Sequence, residues 1–197
     1  MPNAAFTALL NDVYTITGRP DLTAESSYAV RAATLKLHQS EFYPRDLKET
    51  AIRFSTPGYF QTISYSTLFP RFRSLSYVRK FEGGEPTNFL KVITPTNVLD
   101  SYNVDKENVC YLAGDVIQIR SLTSVSDILL GFYENPITLE DTYDSWIADL
   151  YPFAITTEAA ATVFKMIGKD EETSMYRQLA AEHALIVRNS NILAEGF

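Results

Sequence analysis

The chain has 197 residues, of which 46% are apolar, 13% aromatic and 21% charged; this excludes wholesale disorder and leaves enough chain to bury a core without disulfide staples. A formal net charge of −7 excludes a general nucleic-acid coat, because phosphate binding relies on clustered Lys and Arg that release counterions. The single cysteine, Cys110, excludes an internal disulfide and offers no zinc-ligand spacing.

No basic residue precedes Arg19, and Asn11 with Asp12 breaks the first apolar stretch. The reading is therefore of a chain with no signal peptide and no membrane span, made and kept in a reducing cytosol. Over residues 3–17, Phe6, Leu9, Leu10, Val13 and Ile16 recur at helical spacing, and Gly18 followed by Pro20 is a stop. A second helix is expected to start from Asp21 or Thr23 as N-cap. It carries Ala29, Val30, Ala33 and Leu37 on one face and continues to Phe42 before Pro44.

From about Ala51 the period changes to two: Ile63 and Tyr65 alternate with polar neighbours, as do Ile117 and Ile119. Pro57-Gly58, Gly83-Gly84 and Ala113-Gly114-Asp115 read as the turns between strands. Thr94-Pro95 predicts a short helix from Pro95 to Tyr102, since Pro is favoured at the first helical position. The sheet is expected to end near Leu129–Tyr133. Pro152 then opens a helix with Ile155, Ala159, Val163 and Met166 on one face, stopped by Gly168. Asp170, Glu171 and Glu172 begin a last helix, with Met175, Leu179, Glu182 and Ile186 as its stripe and Arg188 near its end. Acid at the start and base at the end both complement the helix dipole.

The fold class is thus α+β: an N-terminal helix pair, a central antiparallel β meander with a short helix, and a C-terminal αα-hairpin. Residues 1–50 and 137–197 form a discontinuous helical bundle into which 51–136 is inserted as a β-rich domain.

Catalytic signals are few. His38 and Glu41 stand three apart on the second helix, a spacing that could serve a metal-dependent hydrolase, although a surface pair or an interface contact accounts for it more simply. No Gly-x-Ser-x-Gly is present, and Cys110 lies in the apolar run Val109-Cys110-Tyr111 as a small core residue. Glu82 and Glu85 flank Gly83-Gly84 and would repel a phosphate, so the pair is a hairpin turn. No cofactor, metal or catalytic residue is assigned.

The stretch LFPRFRSLSYVRKFEGGEP, residues 68–86, interleaves base with aromatic residues in an acidic chain. As a strand it would put Arg71, Arg73, Leu75, Tyr77, Arg79 and Phe81 on one face, a mixture that suits a protein interface better than a phosphate grip. A plain solvated strand and a local nucleic-acid contact are the alternatives. The residues singled out for a subunit or tail interface are Arg71, Phe72, Arg73, Tyr77, Arg79 and Lys80.

The order of elements, together with YVRKF (77–81), VITPTNVLDSY (92–102), YLAGDVIQIRS (111–121) and YPFAITTEAAATVFKMIGKDEE (151–172), resembles the head-to-tail adaptor (connector) proteins of short-tailed bacteriophages, the group that includes tail tubular protein A. The likeness covers most of the chain. It implies a structural virion protein without catalysis, located at the head-tail junction. Copies of the chain would form a ring, commonly twelve-fold, beneath the portal protein and extend the DNA channel towards tail nozzle or tail fibre proteins. DNA would pass without specific binding, and no membrane is involved. The family's portal-contacting parts fall on the C-terminal helix and tail, here Ile186, Arg188, Ile192, Leu193 and Phe197, with a tail folded back on its own domain as the alternative. A tail-completion or assembly factor would use the same surfaces without closing a ring.

Overall fold

A computed structural model describes residues 2–82, 84–94 and 108–194, apart from the side chains of Glu82, Asn88 and 191–194. The chain is α+β, as its sequence predicts, and divides into two compact units, residues 1–46 with 135–197 and residues 47–134. The borders fall at 46/47 and 134/135, against 50/51 and 136/137 from the sequence, because the first strand already begins at Leu47 and the last runs to Glu134. The expected helix at 95–102 lies outside the described residues.

The helical unit begins with α1 (Ala4–Thr17) and α2 (Thr23–Ser40). Asn3 caps α1 by accepting the Phe6 N–H at 2.8 Å, and Gly18, at φ 65°, closes it in the left-handed conformation that glycine adopts without strain. Neither Asp21 nor Thr23 caps α2. Leu22 holds the cap position with no side-chain bond, because the Arg19 guanidinium takes the Asp21 carboxylate at 2.7 and 2.8 Å. That hydrogen bond also holds the exposed Asp21 carboxyl below its ordinary pKa.

After residue 134 the same unit resumes with α4 (Trp146–Leu150), α5 (Pro152–Met166) and α6 (Asp170–Ala194). Phe6, Leu9 and Val13 of α1, Ala29, Val30 and Ala33 of α2, Ile147 of α4, and Ile155, Ala159 and Val163 of α5 form one core. Each fully buried large aliphatic or aromatic side chain contributes about 1.5–3 kcal/mol, while the alanines let helices approach closely. On α6 the expected stripe is displaced. Thr173, Ala180 and Val187 are buried, whereas Met175 and Ile186 are each 52% exposed. Larger apolar side chains at 175 and 186 misled the periodic reading, since the residues that fit against α5 here are small or β-branched.

The β unit contains β1 (Leu47–Ser64), α3 (Tyr65–Leu68), β2 (Phe72–Glu82), β3 (Glu85–Phe89), β4 (Lys91–Val92), β5 (Val109–Ala113) and β6 (Val116–Glu134). The long β6 is the centre of the sheet. One of its edges pairs antiparallel with β1; the other pairs with β5 over Val116–Arg120 and with β2 over Ile128–Glu134. β3 continues the sheet beyond β2, and β4 lies parallel to β5. Tight turns fall at Gly84 and Gly114, both at positive φ, as the sequence indicated. Pro57-Gly58 instead lies inside β1, at a register shift between Arg53 and Gly58. Proline has no N–H for the ladder, and a bulge tolerates that loss. Ile63, Ile117, Ile119, Ile128, Leu130, Phe132 and Cys110 form the β-unit core.

Candidate interaction surfaces

Side-chain chemistry in the helical unit converges on His38. The Nδ1–H of His38 donates to Asp46, with both carboxylate oxygens at 2.9 and 3.0 Å, and its Nε2 lies 2.9 Å from Ser145 Oγ. Trp146 Nε1–H donates to the same Asp46 Oδ1 at 2.8 Å. By distance this is a Ser-His-Asp arrangement, yet a nucleophile must meet a substrate. Ser145 is 4% exposed, His38 1% and Asp46 6%, and Ser145 Oγ accepts the Ala148 N–H as the cap of α4. The trio locks α2, the turn Pro44–Asp46 and the start of α4 together. Glu41 is not part of it, since it pairs with Arg188. His38 and Glu41, adjacent in the sequence pattern, thus serve different contacts, because the chain leaves α2 at Ser40.

Among the described residues no three His, Cys, Asp or Glu side chains gather to hold a metal ion, and no helix is long and apolar enough to cross a membrane. Cys110 is fully buried, and burial pushes its thiol up to about 12, far from a reactive thiolate.

The basic and aromatic residues of 71–80 do not share one face. Register shifts between Phe72 and Ser74 and between Leu75 and Tyr77 break the period of two, so Phe72, Leu75 and Val78 all pack on the β-unit core. Phe72 stacks on Tyr65 at 4.3 Å and on Phe132 at 5.6 Å. Arg71 precedes β2 and holds Glu134 at 2.7 Å. Arg73 is half-exposed on β2. The Tyr77 ring lies over Gly131, where a Cβ would come within 2.5 Å of it, and meets Phe89 edge-on. Arg79 places its guanidinium over Phe89 at 4.1 Å. Lys80, only 8% exposed, donates to Ser121 Oγ at 3.2 Å and Thr123 Oγ1 at 3.0 Å. Of these six, Phe72 and Lys80 are turned inward, while Arg73 and the Arg79–Phe89 pair face outward enough to meet a partner.

At the other end of the sequence, α6 presents Ile186 at 52% exposure and Arg188 paired with Glu41. Ile192 and Leu193 lie within α6, their side chains outside the described set, and Phe197 lies beyond the described residues. One turn before Ile186 on α6, His183 stacks on Phe153 at 6.1 Å, and Phe153 is 62% exposed.

No family model and no curated protein matches the chain. The surface is therefore judged on its own geometry. Sequence reasoning missed Phe153, since Pro152-Phe153 reads as a helix start rather than as a surface. It also missed Tyr59 and Phe60, which follow the β1 bulge and are 66% and 51% exposed. Large aromatic residues beside turn-type residues were the available signal.

Proposed function

We propose that the chain is a structural virion protein, a head-to-tail adaptor whose copies form a ring beneath a portal and extend the DNA channel towards the tail. The resemblance in Sequence analysis supplies the family. The observation that most supports an assembly role is the outward apolar set at the end of the helical unit, Phe153 with His183 and Ile186. Exposed aromatic and aliphatic side chains set close together are what a docking surface requires. The acidic balance fits a conduit: a net charge of −7 does not hold phosphates that must slide past.

In this reading the portal meets α6 and the tail that follows it, and outward residues of the β unit such as Arg73, Arg79 and Phe89 meet neighbouring subunits or tail proteins. The protein alone is expected to be monomeric at micromolar concentration and to form rings only on the portal. Negative-stain imaging of the chain mixed with purified portal tests this. Failure to bind the portal would remove the adaptor reading, and a stable ring without the portal would remove its partner dependence. Weak duplex-DNA binding is expected at any salt concentration; strong binding with a steep salt slope would return 71–81 to a nucleic-acid role.

A further inference from the structure

Strand β1 hydrogen-bonds to β6 along one edge, and among the described residues no strand lies along its other edge. The remaining edge strands of the sheet offer little for pairing: β4 is only Lys91–Val92, and the short β3 contains Pro86, which has no N–H. In the second half of β1, Pro57 and the register shifts around Gly58 interrupt a straight ladder. The first half, Leu47–Ser55, has neither proline nor glycine, and the backbone groups on its open edge form a template for another strand.

A period of two divides this half cleanly. Glu49, Ala51, Arg53 and Ser55 are exposed, while Thr50, Ile52 and Phe54 are half-buried, the last two against the β-unit core. Residues directly opposite in an antiparallel pair point to the same side of the sheet, so a second copy of this strand keeps its exposed side exposed only where odd positions face odd positions. A two-fold pair centred on any residue from 49 to 53 meets that condition, and charge then selects among the five. Centred on Glu49 or on Arg53, the pair sets like charges against each other; centred on Thr50 or Ile52, it sets no two charges opposite. Centred on Ala51, it sets Glu49 against Arg53 of the second copy and Arg53 against Glu49 of the second copy, with the small Ala51 on the axis between them. Arg53 also reaches Asp127 of β6 at 3.2 Å, but its side chain is 85% exposed, so the guanidinium has donors left for a carboxylate across the edge. We propose that the free chain pairs with a second copy through its β1 edges, antiparallel and two-fold about Ala51, joining the two sheets into one. The contact is isologous and closes at two copies, so it neither builds the ring nor rests on the ring reading, and it uses no residue of α5 or α6. One short ladder buries less than a standard interface, which keeps the pair weak and the chain monomeric at micromolar concentration.

Two experiments on the full chain test this. Cys110, the only cysteine, is buried, so Ala51→Cys supplies one accessible thiol, on the axis and about 5 Å from its counterpart. Ser55→Cys is the control, exposed on the same strand, but the register holds the two copies of residue 55 about 25 Å apart. Under mild oxidation Ala51→Cys should form disulfide-linked pairs about tenfold faster than Ser55→Cys or more, and equal rates would overturn the register. Charge exchange reads the same contact without a new thiol. Glu49→Arg and Arg53→Glu each set like charges across both ion pairs, and sedimentation equilibrium at up to about millimolar protein should show association weakened about tenfold or more. Mixed in equal amounts, the two variants set opposite charges across each pair again, and association should return to within about threefold of wild type. Circular dichroism checks that each variant is folded. Wild type that stays monomeric throughout that range, association that Glu49→Arg leaves unchanged, or a mixture that associates no better than its components would each overturn the contact. If Arg53→Glu, deprived of its bond to Asp127, fails to fold, Glu49→Arg and the two thiol variants still decide it.

Discussion

The two units bury polar groups in different ways. In the helical unit, His38, Asp46, Ser145 and Trp146 form a connected set whose members come from three separate stretches of chain. In the β unit, Lys80 is buried where the neighbour of β6 changes from β5 to β2, and it reaches Ser121 and Thr123, which lie in that gap. The first network fixes how helices meet. The second fills a discontinuity in strand pairing that hydrogen-bonded backbone cannot close. These two sets of buried polar side chains thus sit where regular structure runs out, between helices in one unit and between strand partners in the other.

The largest expected effect comes from cutting the helical network. His38→Ala removes a buried ring and takes away the imidazole bond of both Asp46 and Ser145, leaving Asp46 with Trp146 and Ser145 with the Ala148 N–H, at a cost of about 3–5 kcal/mol. Trp146, the only tryptophan, reports on this unit alone, so urea unfolding followed by its fluorescence should show the loss directly. An unchanged midpoint would mean that the network is not what joins α2 to α4.

Alkaline pH sharpens the comparison, because Tyr143 in the helical unit and Cys110 in the β unit are buried weak acids. Burial raises the Tyr143 phenol of the helical unit from 10.0 to about 12, and the Cys110 thiol of the β unit from 9.0 to about 12. In both cases the folded state keeps its proton to higher pH than the unfolded chain does. The contribution is full below the unfolded value and is lost as pH rises through the window. For Tyr143 that window runs from about 10 to about 12 and is worth on the order of 3 kcal/mol. Cys110 begins to lose its share one pH unit earlier, at about 9. Tyr143→Phe should flatten the fall in the tryptophan transition, and Cys110→Ala the fall in the β-sheet circular-dichroism signal. Equal pH slopes in wild type and variants would contradict this assignment.

A smaller effect belongs to the β unit. Gly131→Ala puts a methyl group into the Tyr77 ring that covers it, at about 1–3 kcal/mol. The β-sheet signal should record that loss. A tryptophan transition that moves by the same amount would show that the units unfold as one.

These contrasts also explain what the sequence revealed. Helix starts and stops at Gly18, Pro152 and Gly168 were legible because capping and a period of 3.6 are local properties. The buried set Ala29, Val30, Ala33 and Leu37 came from the same logic. On α6 the logic failed, because it weighed residue size, whereas packing selected Thr173, Ala180 and Val187. The β unit was less legible. Two register shifts in β2 and two around Pro57-Gly58 in β1 change which side chains face inward, and only the partner strand β6 sets them. His38 was noticed, but its partners Asp46 and Ser145 lie 8 and 107 residues away, beyond any local spacing rule.

The smallest effect on the fold should accompany the largest effect on assembly. Phe153 is 62% exposed and Ile186 is 52% exposed, so Phe153→Ser and Ile186→Asp remove little buried area and should change unfolding free energy by no more than about 0.5 kcal/mol. If that surface docks on a portal, the same substitutions remove a hydrophobic anchor and place a charge in the contact, weakening binding by about 2 kcal/mol or more, close to thirtyfold. Pull-down of purified portal with each variant, beside an Arg73→Glu control in the β unit, reads the difference. Loss of binding by the helical-unit variants alone would assign portal contact to α5 and α6. Loss by Arg73→Glu alone would move it to β2 and reverse the roles proposed for the two units.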